Sequence, residues 1–148
     1  MKQRNSWTSL DWILLIVVTL VAAALRLYKL GEIPPGFQFD EAFNAIDAQQ
    51  VLEGNRPLFL PANAGREVLY TYWQALVITV YGFFSGEGLP INVYTLRLAS
   101  SLGGIAAVPI VFTFLRFGLR KDARLLATSV AVAQALNMWH IHFSHFGI

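Results

Sequence analysis

Asp40 and Glu41 are the residues of this chain whose types and spacing best suit chemistry. They end the run Pro34-Pro35-Gly36-Phe37-Gln38-Phe39, ten residues past Leu30, where a hydrophobic stretch stops. Adjacent acids at the edge of an apolar span can take a proton from a hydroxyl or amine, hold a cation, or cap a helix. Side by side they repel, which raises the pKa of at least one unless a cation or a bound substrate compensates. Asp is also a favoured N-cap, so a helix starting here gives Asp40 an ordinary structural use.

A second charged pair, Arg66-Glu67, stands where another helix is expected to begin. Glu67 there suits the positive end of the helix dipole. Arg66 serves either as an interfacial anchor or as a bidentate partner for phosphate, with Glu67 orienting Asp40 or the acceptor. Further on, Trp139-His140-Ile141-His142-Phe143-Ser144-His145 places three histidines within six residues. On a helix His140 diverges and only His142 and His145 share a face, and two ligands are too few for a closed zinc site. His142 and His145 are therefore expected to contact substrate or anchor the segment at an interface, and use of a divalent cation stays open.

The elements that must position these residues belong to a membrane protein. Of 148 residues, 55% are hydrophobic and 14% charged, against about 25% charged in soluble domains, and the mean hydropathy is +0.51. Cysteine is absent, so neither disulfides nor thiolate metal sites arise, and a net charge of +2 is too small to argue for nucleic acid. Lys2, Arg4 and Ala22-Ala23-Ala24 allow a signal-peptide reading, but the apolar run continues through Leu25, Leu27 and Leu30, which favours an uncleaved first helix.

Apolar runs Trp12 to Leu25, Leu98 to Leu115 and Leu125 to Trp139 each approach the roughly 20 residues of a spanning helix. A fourth, Val68 to Phe84, holds Tyr70, Thr71, Tyr72, Trp73, Gln74, Thr79 and Tyr81, which favour the membrane surface. If it does not cross, Arg116, Arg120, Lys121 and Arg124 fall on the cytoplasmic side with Lys2 and Arg4, as the positive-inside tendency requires. Those four charges are expected to do no more than set topology. The chain then reads as three crossings, at about 11–30, 96–115 and 125–143, with a large outer loop over 31–95 and a cytoplasmic loop over 116–124. Within the outer loop a helix is expected from Asp40 to Gly54. Asp40, Asn44 and Asp47 would share its water-facing side, beside Phe39, Phe43 and Ile46.

Read together, the Pro-Pro-Gly turn into Phe39-Asp40-Glu41-Ala42, the phrase Gly65-Arg66-Glu67-Val68-Leu69-Tyr70-Thr71-Tyr72-Trp73-Gln74-Ala75-Leu76, and Leu96-Arg97-Leu98-Ala99-Ser100-Ser101-Leu102-Gly103-Gly104 resemble the N-terminal third of bacterial polyprenyl-phosphate-dependent glycosyltransferases. These GT-C fold enzymes include the protein O-mannosyltransferases and the lipid-A aminoarabinose transferases. The resemblance implies an all-α membrane fold with amphipathic juxtamembrane helices in the first outer loop. It also implies transfer of a sugar from a polyprenyl-phosphate carrier to a protein, lipid or glycan acceptor on the outer face of the cytoplasmic membrane. By motif, the family's catalytic base or metal-contacting acid falls on Asp40 with Glu41 beside it, and the charged pair near the active site falls on Arg66 and Glu67. Relatives often carry Ser-Arg where this chain has Ser144-His145, and Pro where it has Val68. They continue for many more spans, so this sequence is expected to be a portion of such an enzyme that does not turn over alone.

A phosphate leaving group needs positive charge or a metal, and Arg66 is the outer-loop cation nominated for it. The alternative is a non-catalytic three-span subunit that binds lipid carriers or a partner through the small residues at Gly103-Gly104. A channel or transporter predicts acids or bases within the spans, and none stands in the middle of one.

Overall fold

The computed structural model describes residues 7–60, 68–118 and 123–147. Among these the fold is all-helical: α1 (Ser9–Leu27), α2 (Phe39–Leu52), α3 (Val68–Ser85), α4 (Val93–Gly118), α5 (Arg124–Leu136) and α6 (Met138–Ser144). The chain divides into one unit of residues up to Tyr28 and Leu102–His142, and another of Lys29–Ser101 and Phe143 onward.

In the first unit, α1 starts at a capping box. Thr8 Oγ1 accepts from the Asp11 N–H at 3.4 Å and the Asp11 carboxylate accepts from the Thr8 N–H at 2.9 Å, so two otherwise orphaned donors are satisfied. The helix closes where Tyr28 becomes extended and Lys29 turns left-handed at φ 49°. Val18 and Ala22 of α1 meet Val108 and Phe112 of α4 and Ala127, Ala131 and Ala135 of α5. Alanine every fourth residue gives α5 a flat stripe that admits close helix approach. The larger side chains of α1, among them Ile13, Ile16, Val17 and Leu20, point outward.

Charged side chains fix the direction of these helices. Asp11 accepts from Arg116 at 2.9 and 3.2 Å and from Arg124 at 2.7 and 3.3 Å. The start of α1, the end of α4 and the start of α5 therefore meet at one place. Arg26 in the last turn of α1 donates to the carbonyls of Gln134 and Ala135 at 3.2 and 3.1 Å, groups that a helix C-terminus otherwise leaves unpaired. So α1 and α5 run parallel, and the α4 segment that meets them runs the opposite way. Arg116 and Arg124, expected only to set topology, clamp helices, because a buried acid at the foot of α1 needs counter-charge.

Two helices, α1 and α4, are long and apolar enough to cross a membrane. The third expected span, 125–143, is interrupted. It is made of two helices, α5 with 13 residues and α6 with seven. Asn137 leaves helical geometry at φ −63°, ψ 117°, and its Oδ1 accepts from the His140 N–H at 3.1 Å, capping α6.

In the second unit α2 packs on α3, and Ala48, Ile78 and Leu96 form the core with Ala45, Leu52 and Ile91. Asn92 and Thr95 exchange side-chain and backbone hydrogen bonds at 3.0 and 3.1 Å to start α4. Gly82 lies so close to the following turn that a Cβ there would sit 1.7 Å from the Gly88 carbonyl oxygen. The helix expected from Asp40 to Gly54 is α2, but its faces are reversed. Glu41, Asn44 and Asp47 are buried, while Phe39 and Ile46 are exposed. Glu41 and Asn44 turn inward because Arg97 and the Gly147 carbonyl wait there.

Candidate functional site

Arg97, in the second turn of α4, organises the site. Its Nε donates to Glu41 Oε1 at 2.7 Å and its Nη2 to Glu41 Oε2 at 3.0 Å. Nη2 also donates to the Gly36 carbonyl at 2.8 Å, and Nη1 donates to those of Pro34 at 2.8 Å and Leu30 at 3.3 Å. All five guanidinium donors are thus used, which is what makes complete burial of this charge tolerable. The turn after α1 is wrapped around one side chain.

Glu41 is equally saturated. Besides Arg97, its Oε2 accepts from the Gln38 N–H at 2.8 Å and its Oε1 from the Gly147 N–H at 2.9 Å. Burial pushes the carboxyl up, but the Arg97 guanidinium and the two backbone N–H groups outweigh it and hold the group below the ordinary range. With two hydrogen bonds on each oxygen, Glu41 has no lone pair ready for a substrate proton. Expected as a catalytic residue beside Asp40, it is the anionic half of a buried pair at side-chain exposures of 0% and 1%. Local sequence reasoning does not single out Arg97, because it stands at the edge of a charge-free run. The signal was there: an Arg next to an apolar stretch, with no acid near it in sequence, must find its partner through space.

Asp40 is half-buried in the first turn of α2. It is not the N-cap. That position is Gln38, whose N–H is bound by Glu41, so the capping role considered for Asp40 falls to its neighbour. The charge repulsion expected between the two acids is offset by Arg97 on the Glu41 side.

The segment after α6 lies in a polar cradle within the same unit. The Gly147 carbonyl accepts from Asn44 Nδ2 at 2.6 Å and Gln74 Nε2 at 3.1 Å, and Ser101 Oγ donates to the Ser144 carbonyl at 2.9 Å. Nearby on α3, Tyr70 is bonded to Ser100, and burial pushes its phenol up to about 12. His145 is buried, with Nδ1 3.2 Å from the Ile33 carbonyl. A carbonyl only accepts, so Nδ1 carries the proton. His145 Nε2 and Gln74 Oε1 are buried and meet no partner among the described residues. Two buried groups short of partners can receive donors from a hydroxylated ligand or from water.

His142 is placed differently from His145. It is exposed, its ring 6.4 Å from that of Trp139, and with Met138 these residues line a cavity of about 210 Å³. α6 stops at Ser144, so the expected helical face shared with His145 does not form. Arg66 and Glu67 lie outside the described residues. Among the described residues no three side chains of His, Asp or Glu converge as metal ligands would.

Set against known proteins, the chain matches no family model, no curated protein and no solved structure.

Proposed function

We propose that this chain belongs to a membrane glycosyltransferase of the GT-C type, which moves a sugar from a polyprenyl-phosphate carrier to an acceptor on the outer face of the cytoplasmic membrane. The reading rests on the sequence phrases around Asp40, Arg66 and Arg97, and one observation of the site carries it further. Asp40 is a half-exposed carboxylate on the first turn of a helix tied down by the Arg97–Glu41 pair. A general base must be accessible and held in place. Asp40 meets both conditions and Glu41 meets only the second.

In this arrangement Asp40 takes the proton of the acceptor hydroxyl or amine as the lipid phosphate leaves, and Glu41 and Arg97 act as positioning residues. Arg97 spends every donor on the protein, so it cannot stabilise the phosphate. Arg66, or a divalent cation, is left to do so. α1 and α4 cross the membrane, with α2 and α3 on the outer surface and residues 116–124 on the cytoplasmic side. The exposed Phe39 and Ile46 on α2 suit contact with lipid.

The test is transfer of labelled sugar from a polyprenyl-phosphate donor in membranes of cells expressing the gene. Asp40→Asn should abolish transfer in protein that still folds and inserts; retained transfer removes Asp40 from the chemistry.

A second reading, a non-catalytic subunit that assembles with a partner helix, is favoured by Gly103. A Cβ at that position meets no atom within 4 Å, so the small-residue stretch of α4 is open there. It predicts that Asp40→Asn is silent and that Gly103→Leu abolishes co-purification with the partner.

A further inference from the structure

We propose that the end of the first unit where α1 begins binds an anionic glycerophospholipid, with its phosphate on Arg124 and an acyl chain in an aromatic groove. The inference rests on the reading of α1 and α4 as membrane-spanning and is independent of any transferase activity.

The groove, about 460 Å³, is lined by Trp7, Trp12, Leu15, Thr113 and Phe117. The Trp7 ring lies 4.4 Å from that of Trp12 and 5.4 Å from that of Phe117, yet Trp12 and Phe117 stay 52% and 55% exposed. Aromatic rings at the end of a span sit at headgroup depth, with apolar faces for chains and indole N–H groups for ester or phosphate oxygens. The Trp7 N–H is buried at the groove and meets no acceptor among the described residues.

The groove adjoins a cluster with surplus positive charge. Trp7 precedes Thr8, Trp12 follows Asp11, and Phe117 follows Arg116, and these neighbours are the ones joined by hydrogen bonds to Arg124 or Asp11. Among the described residues one carboxylate faces two guanidinium groups, a formal surplus of one positive charge there. Arg116 is buried. Arg124 is 36% exposed and uses Nε and Nη2 on Asp11 and Thr8, and its Nη1 has no partner among the described residues. One surplus positive charge beside an apolar groove matches one phosphate monoanion with a chain. A zwitterionic headgroup carries no net charge to meet it.

The experiment places the chain in bilayers that mix phosphatidylglycerol and phosphatidylcholine, with either lipid brominated. Tryptophan quenching then gives their relative association. We expect phosphatidylglycerol to be favoured by about five-fold, the factor one guanidinium near a charged surface supplies. Arg124→Gln should bring the ratio close to one. Thr113→Phe, which fills the groove and leaves the ion cluster intact, should do the same if Arg124→Gln fails to insert. Equal association of the two lipids with the unaltered chain, or a preference that survives Thr113→Phe, overturns the site. Absence of quenching by either lipid overturns the spanning reading along with it.

Discussion

Glu41 and Arg97, 56 positions apart, form a two-pronged buried ion pair at 2.7 and 3.0 Å whose remaining donors and acceptors are all taken by backbone. Removing one partner strands the other charge away from water, which costs about 3–5 kcal/mol. Arg97→Met and Glu41→Gln should each lower thermal stability in mild detergent by that order. The double variant should lose clearly less than the sum of the two. Strict additivity would show that the pair is not coupled.

The same pair sets an acid limit. Because the folded state holds the Glu41 carboxyl below its ordinary value, its contribution is complete above roughly pH 4.3 and disappears as pH falls through the lowered value. Unfolding followed from pH 6 downward should show stability falling in that window in the unaltered chain. Glu41→Gln should be less stable at the start and flatter over the same range. Parallel profiles would assign the acid sensitivity to other carboxylates.

Gly82 is expected to tolerate no side chain. A methyl group there would meet the Gly88 carbonyl oxygen at 1.7 Å, so Gly82→Ala must displace the turn after α3. Overpacking of this kind costs about 1–3 kcal/mol, to be measured as a lowered midpoint of unfolding. Gly103→Ala, where a Cβ meets nothing, serves as the control and should change little.

The chain has no cysteine, so single cysteines report sidedness without background. If α2 and α3 lie on the outer surface, as proposed, cysteines at Gln38 and Ser85 label from outside intact cells and one at Lys121 does not. Protection at Ser85 together with labelling at Lys121 would mean that α3 crosses, and would remove the outer platform on which the proposed chemistry depends.

Much of the helix inventory was readable residue by residue. Charge-free apolar runs marked α1 and α4, and the breakers Pro34-Pro35-Gly36 and Gly54 bracketed α2. The break at Asn137 was not readable, because hydropathy averages over one polar residue while backbone geometry does not. The inward face of α2 is hidden from the sequence for a related reason. Asn44 and Asp47 are polar, and polarity alone sends a side chain to water unless something inside hydrogen-bonds it. The interior side of this helix contains the Gly147 carbonyl for Asn44 and Arg97 for Glu41.

The sequence by itself determined that the chain is helical and rich enough in apolar residues to supply membrane spans, and that Asp40-Glu41 is its conspicuous acid pair, because composition, period and breakers are local properties. Only the tertiary structure decided what the charges do. Glu41 meets Arg97 across 56 residues, and Asp11 meets Arg116 and Arg124 across 105 and 113. A charge removed from water must find a partner, and which partner it finds depends on how the helices pack.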